Sequence, residues 1–227
     1  VAERRGSEGD DDGPMDMLSI LLRAQDRGEQ SDQQLRDEVM TMLLAGHDTT
    51  ALTLTYTWYL LSQHPDKRER VYEEVDDLDG APTMDDVREF EYVEGVINEA
   101  MRLYPPVYAL FREATEDLEL LGYDIPAGSM IMLSQWAVHR SPTHWDDPDQ
   151  FRPERWVGTD NADRHRFAYF PFGGGPRHCI GKNLAKLEAQ IILAMVAQEY
   201  ELSYTGPDQL KLRPTLTLHP QNGMEMT

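Results

Sequence analysis

Apolar residues recur at helical spacing over much of the chain. Met17, Leu18, Leu21 and Leu22 share one face of a first helix, which Pro14 opens and Gly28 stops. Ser31 and Gln34 form a capping-box pattern ahead of the next helix. No proline follows until Pro65, and the only glycine before it is Gly46. One helix is therefore predicted from about Asp32 to Ser62, roughly 47 Å long. From Met42 onward it is apolar on nearly every side, through Leu43, Leu44, Leu52, Leu54, Trp58, Tyr59, Leu60 and Leu61. Such a helix belongs in the middle of a large protein. A compact chain of 227 residues has a radius of gyration of only ~17 Å. Too little chain remains to cover the helix, so part of the fold is expected to be missing or to come from a partner.

After Pro65 a charged helix is predicted to about Asp77, ending near Gly80. Another covers about Glu91 to Tyr104 and is stopped by Pro105 and Pro106. Residues 107–134 read as short strands around turns at Gly122 and Pro126–Gly128. Residues 140–178 hold few apolar runs and many Pro, Gly, Asp and Arg, a long irregular stretch of the kind kept for function. A last long helix is predicted from about Ile180 to Gln198, followed by strands such as Thr215–Leu218. Residues 1–13 (VAERRGSEGDDDG) are polar and read as a mobile acidic segment, leaving 14–227 as part of a single domain. The initial Val hints at a chain cut from something longer.

Charge narrows the function classes. The chain has 41 Asp and Glu against 21 Lys and Arg, a net charge of −20. Phosphate contacts need a basic face, so nucleic-acid binding is not expected, nor is docking on anionic lipid. One cysteine excludes an intrachain disulfide framework and a Cys-based zinc site. No apolar run approaches the ~20 residues of a membrane span, and no secretory signal is visible, so a cytoplasmic location is expected. Only four of the 21 basic residues are Lys. Acid excess of this size makes a compact chain repel itself, and a salt-accumulating host would screen that repulsion.

The candidate chemistry centres on Cys179, in FGGGPRHCIGKNLA (172–185). Three glycines and a proline make a tight loop, and a helix begins just after the cysteine. The helix dipole and Arg177 favour a thiolate. Gly181 leaves room for a flat ligand. A thiolate so placed suits an iron ligand or a nucleophile. Glu99 and Arg102, at i and i+3 on one helix, are near neighbours. Asp48 and Thr49 are poor helix formers inside the long apolar helix, and Gly46 weakens the same turn. That weak spot suggests a kink above a cofactor.

Phe172, Gly175, Arg177, Cys179 and Gly181 match F-x-x-G-x-R-x-C-x-G, which resembles the haem-binding loop of the cytochrome P450 family. Three more stretches follow that family's order: AGHDTT (45–50), NEAMRLYPP (98–106) and FRPERW (151–156), where Trp156 stands in place of a final Phe. The resemblance implies a mainly α fold with small β-sheets, here without its N-terminal part. It implies haem b, with Cys179 as the axial ligand of the iron. It implies that Arg177 and Arg112 pair the propionates, and that Phe172 and Gly181 also belong to the haem-binding residues of the loop. Ala45 and Gly46 would lie close to the haem face. Asp48 and Thr49 would relay protons to dioxygen, Asp48 linking Thr49 to solvent. Glu99, Arg102 and Arg155 would form a buried triad that holds the cysteine loop. His47 stands where the family varies.

The implied activity is monooxygenation: one oxygen atom inserted into an organic substrate, partly apolar by Val107, Tyr108, Ala109 and Leu110. Electrons would come indirectly from NAD(P)H through a ferredoxin or flavodoxin-type donor, for which Lys182 and Lys186 offer a basic docking patch. A peroxide-using haem enzyme, a non-catalytic haem protein and a remnant without haem are the alternatives. The Asp48–Thr49 pair argues against the first two.

Overall fold

The structure, a computed structural model, describes residues 16–158, 164–207 and 209–227. The acidic segment 1–13 and Pro14 lie outside the described residues. The chain forms two compact units, 1–47 and 48–227.

In the first unit, helix α1 (Met17–Asp26) starts three residues after Pro14. Asp16 is its N-cap, its carboxylate accepting from the Ser19 N–H at 2.9 Å. The helix ends in a Schellman turn: Glu29 N–H donates to Ala24 O, Gly28 N–H donates to Gln25 O, and Gly28 takes φ +73°. Helix α2 (Asp32–Gln63) begins in this unit and ends in the second. Its capping box is formed: Ser31 N–H donates to Gln34 Oε1 at 2.8 Å, and Gln34 N–H to Ser31 Oγ at 3.2 Å. The helix continues unbroken through Gly46. Met40, Leu43 and Leu44 are exposed, whereas Tyr56, Trp58 and Leu61, further along, are buried.

The second unit packs the end of α2 with α3 (Pro65–Val75), α4 (Met84–Glu89), α5 (Glu91–Leu103) and, near the C-terminus, α7 (Lys182–Glu199). Helix α5 is the centre of this core: Tyr92, Val93 and every residue from Gly95 to Leu103 are buried. Leu61, Val71, Val75, Ile97, Ala100, Leu193 and Ala194 meet in one apolar cluster. Gly95 fits there closely: a Cβ would stand 3.0 Å from the Pro153 carbonyl oxygen and would push that backbone back by a few tenths of an ångström.

The N-terminus of α5 has no capping side chain of its own. Glu74, on α3, caps it instead. Its carboxylate accepts from the N–H groups of Glu91 at 2.9 Å, Tyr92 at 2.8 Å and Val93 at 2.7 Å.

Among the described residues the strands make three two-stranded antiparallel sheets. β1 (Ala109–Glu113) pairs with β4 (Met130–Ser134), Ala109 opposite Ser134. β2 (Leu118–Leu120) and β3 (Tyr123–Ile125) form a hairpin whose two turn residues, Leu121 and Gly122, both have positive φ. β5 (Leu212–Pro214) pairs with β6 (Leu218–Pro220). The sequence pattern places a strand at Thr215–Leu218, but Thr215–Thr217 is the turn. Thr215 donates to Thr217 O from both its N–H and its hydroxyl, at 3.0 and 2.9 Å, and this local pairing competes with extended backbone. A short helix α6 (Gln135–Val138) follows β4. The mainly α fold with small sheets is thus the observed one. Among the described residues no helix is long and apolar enough to cross a membrane.

Replacing Glu74 with Ala leaves three N–H groups of α5 without their acceptor. Urea unfolding should show a loss of about 1–2 kcal/mol, with Tm lowered by ~2–4 °C per kcal/mol. An unchanged midpoint would show that water caps the helix equally well.

Candidate functional site

The loop 172–181 is shaped by its own backbone. Gly173 and Gly175 sit at φ +71°, a region closed to most side chains. Gly173 N–H donates to Phe170 O, His178 N–H to Gly175 O, and Cys179 N–H to Phe172 O at 2.9 Å. The last bond closes the loop. Close packing holds it in place: a Cβ on Gly174 would lie 2.6 Å from the Phe167 ring, and one on Gly173 would lie 3.3 Å from Leu110 on β1. Phe172 is partly buried against the core. The Cys179 thiol is exposed. At Gly181 a Cβ would meet only that Sγ, at 3.9 Å, an ordinary contact. Arg177 is exposed on the same loop. Arg112, on β1, is also exposed and donates to Phe111 O at 2.7 Å.

This set fits a haem. One soft donor is accessible, its own backbone N–H already satisfied. Exposed Ile180 and Leu184 follow it in sequence, and Arg177 brings positive charge to the loop for an anionic edge. Helix α7 begins at Lys182 rather than Ile180, with Gly181 as its N-cap. Lys186 forms an ion pair with Glu94 on α5, and Lys182 is exposed.

A buried polar cluster centres on Glu99 and Arg102 of α5. Glu99 and Arg102 have no exposed side-chain surface. Arg102 donates to both Glu99 oxygens, Nε to Oε2 at 2.8 Å and Nη2 to Oε1 at 2.7 Å. Its remaining N–H groups reach the carbonyls of His139 (2.8 Å), Pro148 (2.6 Å) and Gln150 (3.0 Å). Glu99 also accepts from Arg155 Nε at 3.3 Å, from the Arg152 N–H at 3.0 Å and from the Trp156 indole N–H at 2.9 Å. Arg155 continues to the Asp147 carbonyl at 2.8 Å, where Asp147 takes φ +45°. One ion pair thus satisfies three carbonyls and one N–H of an irregular segment and ties it to α5.

Three contributors to this cluster carry no sequence signal of their own. Trp156 reads only as a departure from the family's final Phe, yet its indole N–H is a handle that Phe lacks. His139 is buried, and its Nε2 accepts from the Phe170 N–H at 3.0 Å. Desolvation, with the nearby Arg102 charge second, pushes its pKa down to about 3. Gln135 donates to Phe170 O at 2.6 Å. Phe170 is therefore pinned at both backbone groups, two residues before the loop. An i, i+3 spacing could suggest the Glu99–Arg102 pair, but only the fold brings 139 and 156 to it and 135 to Phe170.

Asp48 and Thr49 lie on α2. The Thr49 carbonyl accepts from Thr53 Oγ1 at 2.9 Å. Asp48 Oδ2 accepts from Thr217 Oγ1 at 2.6 Å and lies 3.4 Å from His219 Nε2. The carboxylate is therefore engaged by the β5–β6 hairpin. Ala45 and Gly46 belong to the first unit, and a Cβ on Gly46 would meet nothing within 4 Å. A cavity of about 970 Å³ is lined by Tyr59, His64, Lys67, Tyr104, Arg140 and Phe151 among others, and by no residue of the thiol loop.

The chain matches the family model described as Cytochrome P450 over residues 1–225. It is 40% identical over 217 residues to Protein LUTEIN DEFICIENT 5, chloroplastic, of Arabidopsis thaliana, covering 93% of this chain and 36% of that protein. It is 42% identical over 207 residues to cyclooctat-9-en-7-ol 5-monooxygenase of Streptomyces melanosporofaciens, covering 89% of this chain and 44% of that one. Among solved structures, a mutant heme domain of cytochrome P450DA superposes with a TM-score of 0.90 at 35% identity, over 100% of this chain and 50% of that chain. The chain spans half the length, or less, of these relatives.

Breaking the buried pair by Arg102→Leu should cost roughly 3–5 kcal/mol, because Glu99 loses its bidentate partner and keeps only the longer Arg155 contact as a counter-charge inside. Trp156→Phe removes one donor to that carboxylate and should cost only ~1.5–3 kcal/mol. Urea unfolding of the two variants checks the order, and equal losses would contradict it. His139 adds a pH dependence. Its folded pKa lies below the ordinary value of 6.5, at about 3, so the unfolded chain binds a proton that the folded chain refuses. Its contribution is present above 6.5 and is lost as pH falls from there towards 3. Unfolding at pH 7 and pH 5 should show this loss in the native chain and a smaller one in His139→Gln.

Proposed function

Because the chain belongs to the cytochrome P450 family, we propose that it forms the haem-binding part of a haem-thiolate monooxygenase. The observation that carries this reading is the accessible Cys179 thiol on a loop pinned at Phe172 and backed by the Glu99–Arg102 cluster. Cys179 would hold the iron of haem b. Arg177 and Arg112 would pair its two carboxylates by charge-assisted hydrogen bonds. When bound, the haem supplies the iron at which dioxygen is activated, and thiolate donation favours O–O cleavage.

The protein's own groups set the conditions for that chemistry. Gly173 and Gly175 let the loop turn tightly enough to present the thiol. The Glu99, Arg102 and Arg155 cluster fixes the irregular segment leading to it. Thr49 would hydrogen-bond at the reacting oxygen, and Asp48 would hold and deliver the proton. Ala45 and Gly46 are small, which suits close approach of a flat group. The substrate would be an organic molecule, partly apolar, met by residues after Pro106. Electrons would come from NAD(P)H through a ferredoxin or flavodoxin-type donor. Lys182 is an exposed cation beside the thiol loop for such a partner, since Lys186 is engaged by Glu94. The monooxygenase named among the relatives supports the same reaction class.

The test is the carbon monoxide difference spectrum of the haem-loaded, dithionite-reduced chain. The long-wavelength Soret band of thiolate-ligated haem is expected, and Cys179→Ser should abolish it. A short-wavelength band in the unaltered chain would overturn the assignment of Cys179 as ligand.

A further inference from the structure

The acid on α2 is not alone. Thr217 is buried in the turn between β5 and β6, and His219 is on β6. Thr217 Oγ1 lies 2.6 Å from Asp48 Oδ2 and 2.8 Å from His219 Nε2. The Asp48 and His219 side chains retain 41% and 30% of their exposure, so each end of this group still reaches solvent or a neighbour. The hairpin is fixed from two sides. Tyr56 donates its hydroxyl to Leu218 O at 2.7 Å, and Leu218 N–H donates to Pro106 O at 2.8 Å. Asp48 and Tyr56 are on the same helix, so the geometry does not depend on a free loop.

The chemistry of the three groups sets a direction. An ionised carboxylate can only accept a hydrogen bond, and a threonine hydroxyl has one proton to give. At 2.6 Å that proton points to Asp48. The hydroxyl oxygen is then an acceptor towards the imidazole, so His219 must carry its proton on Nε2. The result is a chain of donors, His219 Nε2–H to Thr217 Oγ1–H to Asp48.

We propose that Thr217 and His219 form a proton wire that refills Asp48, a role that rests on the reading of Asp48 as the proton-delivering acid. His219 takes a proton from solvent at Nδ1. Its Nε2 proton moves to Thr217 Oγ1, whose own proton moves to Asp48 Oδ2. Asp48 is then a neutral carboxylic acid and the imidazole is neutral, protonated on Nδ1. The wire resets when the hydroxyl rotates back and the imidazole exchanges its proton from Nδ1 to Nε2 through water. Thr217 and His219 are positioning residues, acting through Asp48.

Two measurements test it. In the histidine-labelled chain without haem, proton–nitrogen correlation spectra should show neutral His219 as the Nε2–H form, and Thr217→Val should mix the two tautomers. In the haem-loaded enzyme, driven by NADPH with ferredoxin and its reductase and without organic substrate, dioxygen consumption should fall about tenfold in Thr217→Val and keep its rate in Thr217→Ser. The effect is smaller than the ~10²–10⁴ of a direct proton donor, because the residue acts at one remove. The solvent deuterium isotope effect should rise with the loss. An Nδ1–H form in the unaltered chain overturns the wire, whatever the variants do. Asp48→Asn slowing consumption while Thr217→Val runs at full rate also overturns the wire, and leaves Asp48 as the acid. Asp48→Asn at full rate overturns both.

Discussion

The buried pair of Glu99 and Arg102 is the interaction on which the irregular segment of the second unit depends. Taking two charges out of water costs several kcal/mol per ion, and attraction alone does not offset it. Here the pair is surrounded by further hydrogen bonds. Glu99 collects donors from Arg102, Arg152, Arg155 and Trp156, and Arg102 directs its other donors to three carbonyls. The segment 139–156 makes local turn bonds, such as Trp145 N–H to Ser141 O and Trp156 N–H to Pro153 O, but forms no long helix or strand. The ion pair adds bonds to the carbonyls of His139, Pro148 and Gln150 and to the Arg152 N–H, which ties those turns to α5.

Neutrality next to that pair follows from the same constraint on buried charge. His139 lies beside Arg102 in a dry environment, and its carbonyl is one of the guanidinium's acceptors. A second cation there would repel the first. Keeping the imidazole neutral frees Nε2 to accept from Phe170 N–H. Gln135 takes the other backbone group of Phe170. From there the chain runs two residues to Phe172, whose carbonyl receives the Cys179 N–H. Position is thus handed from α5 to the Cys179 backbone by hydrogen bonds at His139, Phe170 and Phe172 joined by short stretches of chain. Trp145 adds a flat wall to this cluster, with the Arg102 guanidinium 4.8 Å and the Arg164 guanidinium 4.2 Å from its ring centre.

The C-terminal hairpin plays the corresponding part for α2. Its strands are only three residues each, too short to stand alone. Tyr56 and Pro106 hold it by hydrogen bonds to its backbone, and Thr217 is left facing Asp48. A poor helix residue such as Asp48 is tolerated there because its carboxylate has a partner outside the helix.

Local rules determined much of this protein. Local patterns located α1, α2, α3, α5 and α7 within about three residues at their starts, but not the short α4 and α6, whose few residues carry no period of their own. The Ser31–Gln34 box marked the start of α2, and Gly28 marked the end of α1. The thiol loop and the Glu99–Arg102 spacing were legible because each lies within one short stretch of chain. Tertiary structure decided the rest. Glu74 caps a helix from 17 to 19 residues away. Trp156 reaches Glu99 across 57 residues, and Thr217 reaches Asp48 across 169. None of these has a period or a neighbouring motif to announce it. A side-chain hydrogen bond depends on where two elements come to rest, and that is set by how the whole core packs.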